Sequence, residues 1–233
     1  MSEAQPTENT ISVLDHGFVR LDGVMADDLS VANAARVSFA RRKDAMDEAD
    51  EGLIRFLMRD RHGTPFEHNA FRFHIRCPIF VAREWFRHRS SSFNEFSMRY
   101  AKATDDFYVP DADDVRSQVG KPGAYTFEPV EPELAEQARD EMRAVYDAAY
   151  AAYERMVEAG VARELARSVI PVGAYTQFYW TVNARALMNF VSLRAAETAQ
   201  LEIRRYADAV ESLFATQMPV THAAFVANDR TAP

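Results

Sequence analysis

Residues 70–76 read AFRFHIR, and from the first phenylalanine onward an apolar side chain stands at every second position. In an extended chain the two phenylalanines and the isoleucine share one face, and the arginines and histidine between them share the other. This alternation predicts a half-buried strand. Pro78 then predicts the start of a helix over residues 78–89, because proline is tolerated in the first turn of a helix.

Two short strands and two helices are predicted upstream of this strand. Residues 11–25 contain short extended runs on either side of a turn at His16 and Gly17. Residues 29–41 and 47–61 are predicted to be helices. The second has acidic residues in its first turn and basic residues in its last, an arrangement that complements the dipole of a helix.

The C-terminal half is predicted to be mainly helical. A long helix is expected to begin at Pro132 and to end at Gly160, because its apolar residues recur every three or four positions. The other segments are predicted to be helices over 161–169, 180–195 and 199–217 and loops over 90–97 and 105–130.

The order of these elements indicates the fold class. Strands come early and helices late, with no alternation of strand and helix that would suggest a parallel sheet. We therefore predict an α+β fold, with an antiparallel sheet flanked by helices and a helical C-terminal half. Residues 1–233 are predicted to form a single domain with flexible ends at 1–11 and 228–233.

The composition argues against several classes of protein. No stretch approaches the ~18 consecutive apolar residues of a membrane span, and the polar N-terminus lacks the apolar core of a secretory signal. The net charge of −8 argues against a protein that coats nucleic acid. The single cysteine, Cys77, fits a reducing cytoplasm. We expect a cytoplasmic protein that binds neither membrane nor nucleic acid, and no metal site is predicted.

The densest polar feature lies between residues 83 and 100. Arg87, His88 and Arg89 are consecutive near the predicted end of a helix, and a loop with four serines follows, with Arg99 just beyond it. Guanidinium groups match the geometry of phosphate oxygens, and serine hydroxyls and loop amides add neutral donors. The segment is suited to hold phosphates beside a heterocyclic ring. Arginines that complement a helix C-terminus and extend into solvent are the alternative.

The spacing within this segment resembles the signature of flavin-dependent thymidylate synthases. Arg87-His88-Arg89 is followed by seven residues, then Ser97, then Arg99-Tyr100. The resemblance extends over roughly residues 12–220. It includes the segments HGFVRLDGVM, NAARVSFA, HGTPFEH and WTVNARALMNFVSLR.

The resemblance implies that FAD and dUMP lie together at the subunit interfaces of a homotetramer with shared active sites. It assigns to FAD the residues Thr64, Arg87, His88, Arg89, Glu95, Asn183, Arg185 and Asn189. Arg185 and Asn189 are four residues apart and would share one face of a helix. A helix cap or a buried structural amide is the alternative for Asn183 and Asn189.

The same resemblance implies a dUMP site. It assigns to dUMP the residues Glu84, Arg87, Glu95, Ser97, Arg99, Arg167 and Arg194. Ser97, Arg99 and Arg167 would lie near the phosphate. Arg194 would be catalytic, because it would stabilise the anion formed when uracil N3 loses its proton. For Arg167 and Arg194 an ordinary position on a helix surface is the alternative.

The activity implied is the reductive methylation of dUMP to dTMP. In this family 5,10-methylenetetrahydrofolate donates the carbon, NADPH reduces the FAD, and the reduced flavin supplies hydride. The chain has no glycine-rich fingerprint after a strand, so neither dinucleotide is expected on a Rossmann turn.

Two other functions fit parts of the sequence. The basic loop at 87–99 would also suit a protein that binds nucleotides or nucleic acid without catalysis. A flavin-free thymidylate synthase would use a cysteine nucleophile, for which Cys77 is the only candidate. We predict a structural role for Cys77. Ser97 is assigned to binding, since a serine nucleophile needs a general base within reach.

Overall fold

A five-stranded antiparallel sheet organises the molecule. The computed structural model describes residues 9–121 and 123–233. Its strands are β1 (Thr10–Val13), β2 (Gly17–Met25), β3 (Ala70–Pro78), β4 (Ser92–Glu95), β5 (Arg116–Lys121), β6 (Ala124–Pro129) and β7 (Tyr175–Val182). The strand order in the sheet is β1-β2-β3-β7-β4, and β5 and β6 form a separate hairpin.

Most helices of the described chain pack against one face of this sheet in the main core, and this arrangement confirms the predicted α+β class. The helices over Pro132–Glu158 and Arg163–Ala166 instead pack in a second, smaller cluster around Tyr153 and Ala166. None of the described helices is both long and apolar enough to cross a membrane. They are α1 (Asp28–Arg36), α2 (Glu48–Arg59), α3 (Ile79–Trp85), α4 (Pro132–Glu158), α5 (Arg163–Ala166), α6 (Ala184–Arg194), α7 (Leu201–Gln217) and α8 (Pro219–Ala227).

Strand β3 is central to the sheet, and the alternation predicted for it is confirmed. Phe71, Phe73 and Ile75 are fully buried, whereas Arg72 is exposed. β3 pairs with β2 on one side and with all eight residues of β7 on the other. The buried face meets helices α3, α6 and α7 in one core, where the ring of Trp85 stacks on a phenylalanine of α6 with centroids 4.6 Å apart.

The predicted helix over 180–195 is wrong at its start, because residues 175–182 form strand β7. Alternate side chains of β7 enter the core beside β3, and Asn183 then caps α6 by accepting a hydrogen bond from the Ala186 amide at 2.9 Å. The predicted loop over 90–97 is also partly wrong. It contains β4, which pairs with the other side of β7.

The predicted surface loop over 105–130 contains the hairpin β5–β6. Its turn includes Gly120 and Gly123, both with positive φ, at 108° and 87°. Glycine tolerates this conformation, so the residues that suggested a loop instead close a hairpin. Helix α8 was not predicted, because its apolar residues follow α7 with little interruption.

The predicted helix over 78–89 ends early, at Trp85. The amides of Arg87 and His88 bond to carbonyls three residues back, those of Glu84 and Trp85, at 3.3 and 3.0 Å. This tightening ends the helix and turns the following side chains in new directions.

The predicted helices over 29–41 and 161–169 are also shorter than expected. α1 and α5 each give way to a 3₁₀ turn, at Val37–Phe39 and Arg167–Val169 respectively. The predicted helices over 47–61, 132–160 and 199–217 are confirmed as α2, α4 and α7.

Flexibility at the two ends stays a prediction. Residues 1–8 lie outside the described residues. Thr10 and Ile11 pair with β2, and the carbonyl of Pro233 accepts a hydrogen bond from Arg185 Nε at 2.7 Å.

Replacing Gly17 with alanine should destabilise the fold. A Cβ at this position would lie 2.6 Å from the Val13 carbonyl oxygen and 2.8 Å from that of Arg76, and it would also collide with the Tyr206 hydroxyl. Backbone atoms cannot move aside cheaply, so we expect a loss of roughly 1–3 kcal/mol in the free energy of unfolding. Urea denaturation of wild type and Gly17→Ala measures this loss.

Gly52→Ala is the matched control. Nothing lies within 4 Å of a Cβ added there, in the middle of α2. This substitution should stabilise the protein by about 0.5–1 kcal/mol, because alanine favours a helix over glycine. Equal stability of the two variants would contradict the proposed crowding at Gly17.

Candidate active site

A cleft of about 1000 Å³ lies between the chain after α3, the end of β7 and helix α6. This volume is at the upper end of the ~300–1000 Å³ typical of ligand sites. The lining residues are Arg61, Glu67, Arg87, His88, Arg89, Ser90, Ser91, Trp180, Val182, Asn183, Arg185, Ala186, Asn189, Leu193, Arg194, Ala232 and Pro233.

Helix α6 is positioned by amide caps at its first turn. The Asn69 Oδ1 atom, which is buried, accepts a hydrogen bond from the Ala184 amide at 2.6 Å, and Asn183 caps the Ala186 amide of the same turn. Arg185 and Asn189 then both line the cleft, and Arg194 lies at the far end of the same helix. The side chain of Asn183 is therefore both the predicted helix cap and a wall of the cleft.

Arg194 is held between Glu84, in the last turn of α3, and His88, which follows that helix. Its Nε donates to His88 Nε2 at 3.0 Å, its Nη1 donates to Glu84 Oε2 at 2.8 Å, and its Nη2 donates to the Glu84 carbonyl at 3.2 Å. All three side chains are partly buried. The guanidinium orientation is thus fixed by protein contacts alone.

Burial and charge set the protonation of this group. Burial, together with the positive charge of Arg194, lowers the pKa of His88 to about 4. The ring is therefore neutral near pH 7. Because Nε2 accepts from Arg194, the ring proton lies on Nδ1. Burial also raises the pKa of Glu84, and the charge of Arg194 opposes that rise.

Three arginines of the cleft have no ion pair or side-chain hydrogen bond to any described residue. They are Arg61, Arg87 and Arg89. Arg61 was not predicted as a site residue, because it lies just beyond α2, far from the basic segment in sequence. Unpaired guanidinium groups in one cleft are donors available to a phosphate-bearing ligand.

Arg185 differs from these three arginines because its guanidinium group already donates hydrogen bonds to other protein groups. Its Nη1 bonds to Glu67 Oε1 at 2.5 Å, and its Nε bonds to the Pro233 carbonyl.

Three of the residues predicted for dUMP lie together outside the cleft. Arg99 forms an ion pair with Glu164 at 3.5 Å, and Arg167 Nε donates to the Glu164 carbonyl at 3.4 Å. The Ser97 hydroxyl accepts from the Arg99 amide at 3.3 Å. We call Ser97, Arg99, Glu164 and Arg167 the Glu164 cluster.

Three further predicted residues, Glu84, Glu95 and Thr64, also do not line the cleft. Glu84 accepts a hydrogen bond from Arg194, which does line it. Glu95 Oε1 accepts a hydrogen bond from the Thr176 hydroxyl at 2.8 Å. Thr64 is exposed in a 3₁₀ turn, Thr64–Glu67, whose last residue does line the cleft.

Comparison with known proteins identifies the family. The family model described as "Thymidylate synthase complementing protein" matches residues 21–220. The flavin-dependent thymidylate synthase of Thermosipho africanus is 46% identical over 214 residues, which cover 92% of each chain. The chain belongs to the flavin-dependent thymidylate synthase family.

Two further relatives support this assignment. The flavin-dependent thymidylate synthase of Thermus thermophilus is 45% identical over 219 residues, covering 93% of this chain and 78% of that one. The crystal structure of the UMP/dUMP methylase PolB from Streptomyces cacaoi, bound with 5-Br dUMP, is similar with a TM-score of 0.88. It is 43% identical and covers 96% of this chain and 100% of that chain.

Cys77 is fully buried in β3 of this family member. Burial raises the pKa of its thiol well above the usual value, and the charge of Glu95 acts in the same direction. Since the thiolate is the nucleophilic form, this position does not suit a nucleophile. The structural role predicted for Cys77 agrees with its surroundings.

His88 should titrate near pH 4 and remain neutral, with its proton on Nδ1, at pH 7. Because its folded pKa lies below 6.5, the stability carried by the neutral ring is complete above pH 6.5 and is lost as pH falls towards 4. Nitrogen-15 NMR of the imidazole from about pH 3 to pH 8 checks both the pKa and the tautomer.

Arg194→Ala is the companion variant for that titration. Removing the guanidinium should raise the pKa of His88, but burial should still keep it below 6.5. A wild-type His88 that titrates at or above 6.5 would contradict the proposed contact.

Proposed function

We propose that the enzyme methylates C5 of dUMP to give dTMP, with FAD bound in the cleft. 5,10-Methylenetetrahydrofolate is the proposed carbon donor and NADPH the proposed reductant. The observation that carries the proposal is the fixed Arg194 guanidinium beside a group of unpaired arginines. Family membership and the likeness to a methylase solved with 5-Br dUMP support the same reaction.

The donors of the cleft fit FAD. Arg61, Arg87 and Arg89 offer charged donors for its pyrophosphate. Asn183 and Asn189 offer amide groups for the polar edge of a heterocycle. When bound, the flavin supplies the hydride that completes the methyl group.

Arg194 is proposed to act on the uracil ring. Of the five N–H donors of a guanidinium, three are occupied by His88 and Glu84. The other two remain for a uracil carbonyl. A fixed positive charge there stabilises the anion formed when N3 loses its proton, and the electron density gained makes C5 more nucleophilic. C5 then bonds to the one-carbon unit and gives up its own hydrogen as a proton. The bonds from that carbon to the two folate nitrogens break, the nitrogens take up protons, and tetrahydrofolate leaves.

We further propose that a second copy of the chain completes the site. The Glu164 cluster carries donors suited to the dUMP phosphate, yet it lies outside the cleft that contains Arg194. If the Glu164 cluster of one protomer faces the cleft of another, the cluster binds the phosphate of dUMP and Arg194 binds its uracil ring. A homotetramer with shared active sites is the proposed assembly.

The alternative functions are less well supported. A binding protein without catalysis gives no reason for an arginine fixed by two partners in the wall of the cleft. A cysteine-dependent synthase would need an accessible thiolate, which Cys77 does not offer.

Purified enzyme should be yellow and should form dTMP only when dUMP, NADPH and methylenetetrahydrofolate are all present. Liquid chromatography of the nucleotide products measures dTMP, and parallel reactions with UMP test whether the ribose is accepted. Arg194→Ala should lower kcat by about 10²–10³-fold, the usual effect of removing one preorganised donor. Cys77→Ala should retain most of the activity.

Three results would overturn the proposal. They are a colourless protein that takes up no added FAD, dTMP formation without flavin, and loss of turnover in a folded Cys77→Ala variant.

Mixing two weak variants tests the shared site. Arg194→Ala and Arg99→Ala chains should each have little activity at low dUMP concentration. Random mixed tetramers should regain up to about a quarter of wild-type activity, because one site in four then combines two intact contributions. If one chain supplied both residues to its own site, every mixed site would lack one arginine, and no activity would return. Wild-type chains mixed with either variant are the control for assembly.

A further inference from the structure

A second cavity, of about 680 Å³, lies between α1 and the segment that follows it. It is lined by Ser30, Asn33, Ala34, Val37, Ala40, Arg41, Arg42 and His68. The two arginines and the histidine are the basic groups of its wall, and Ala34, Val37 and Ala40 supply apolar surface. None of these residues belongs to the site described above.

The segment that carries Arg41 and Arg42 is anchored at both ends. At its start the Ala40 amide bonds to the Val37 carbonyl at 3.1 Å. At its end the Asn33 side chain accepts from the Lys43 amide and donates to the Lys43 carbonyl, each at 2.9 Å. The backbone is therefore held in place while the two guanidinium groups stay exposed.

Some of the basic residues in and around this segment form ion pairs, and others do not. Asp50, which is fully buried, binds Arg36 at 2.5 Å and Lys43 at 2.8 Å, so those cations are neutralised. Arg41 and Arg42 have no ion pair or side-chain hydrogen bond to any residue in 9–121 or 123–233. In a chain of net charge −8, these two adjacent unpaired arginines offer charged donors to an anion that enters the cavity.

The walls of the cavity and of the cleft are connected through consecutive residues of the chain. Glu67, the last residue of the 3₁₀ turn Thr64–Glu67, lines the cleft, and the next residue, His68, lines the cavity. The cleft already has its own arginines for FAD phosphates, so Arg41 and Arg42 are free for another ligand.

We propose that Arg41 and Arg42 form a subsite for the 2′-phosphate of NADPH, the reductant of the flavin. This inference rests on the proposed function. The guanidinium groups match a phosphate monoester, and the apolar wall offers a surface for the adenine ring. NADPH and NADH differ only in that phosphate, so the subsite determines the choice between them.

Anaerobic reduction of the flavin by NADPH and by NADH, followed by stopped-flow absorbance, tests the proposal. Arg41→Ala/Arg42→Ala should raise the apparent Kd for NADPH by roughly 10-fold or more, since charge-assisted hydrogen bonds are lost. The Kd for NADH should change less than about 2-fold, because NADH lacks the phosphate. The Kd of FAD, titrated into apoprotein, should not change.

Arg155→Ala is the control, since it removes an exposed arginine on α4, away from the cavity. Its NADPH affinity should equal that of wild type. Three results overturn the subsite. They are an unchanged ratio of NADPH to NADH affinity, an equal loss for both nucleotides, and a loss of FAD affinity, which would assign the arginines to the flavin. Failure of the wild type to bind flavin would instead overturn the proposed function.

Discussion

The pairing of β3 with β7 is the constraint on which the rest of the structure depends. It joins segments about a hundred residues apart, with Phe71 opposite Val182 and Pro78 opposite Tyr175. Because the strands are antiparallel, the helices that follow them begin at opposite ends of the pair. Both fold back over the same face, and they meet where Trp85 stacks on Phe190. The contact between Arg194 and the end of α3 is a consequence of this geometry.

That dependence explains what the sequence could predict. The alternation of β3 and the periodicity of α4 are local patterns, and both appear in the structure. Strand β7 was partly mistaken for a helix because only Trp180, Thr181 and Val182 of the strand fell within the predicted helix, and so short a run does not distinguish the two elements. The short strand β4 depends on β7 as its partner.

In the candidate site, too, local sequence predicts some features, and others depend on contacts between distant segments. The residue types of the basic segment indicate phosphate binding, and the spacing of Arg185 and Asn189 indicates a polar face on α6. The partners of Arg194 lie 106 and 110 residues away, so no local pattern could reveal them. The separation of the Glu164 cluster from the cleft is a tertiary fact of the same kind. The two hydrogen bonds between the Asn33 side chain and the Lys43 backbone are also tertiary contacts. They fix the backbone next to Arg41 and Arg42, which distinguishes these two from ordinary surface arginines.

The distribution of charge links stability to function in this molecule. Most lysines and arginines form ion pairs with nearby carboxylates, as Arg36 and Lys43 do with Asp50, and those pairs stabilise the fold. Arg194 is an intermediate case, because its neutral partner His88 orients it without cancelling its charge. Glu84 balances part of that charge, and its own raised pKa shows that burial makes the carboxylate costly to keep ionised. A guanidinium fixed in this way needs little reorganisation when negative charge develops beside it, which is the condition for effective electrostatic stabilisation.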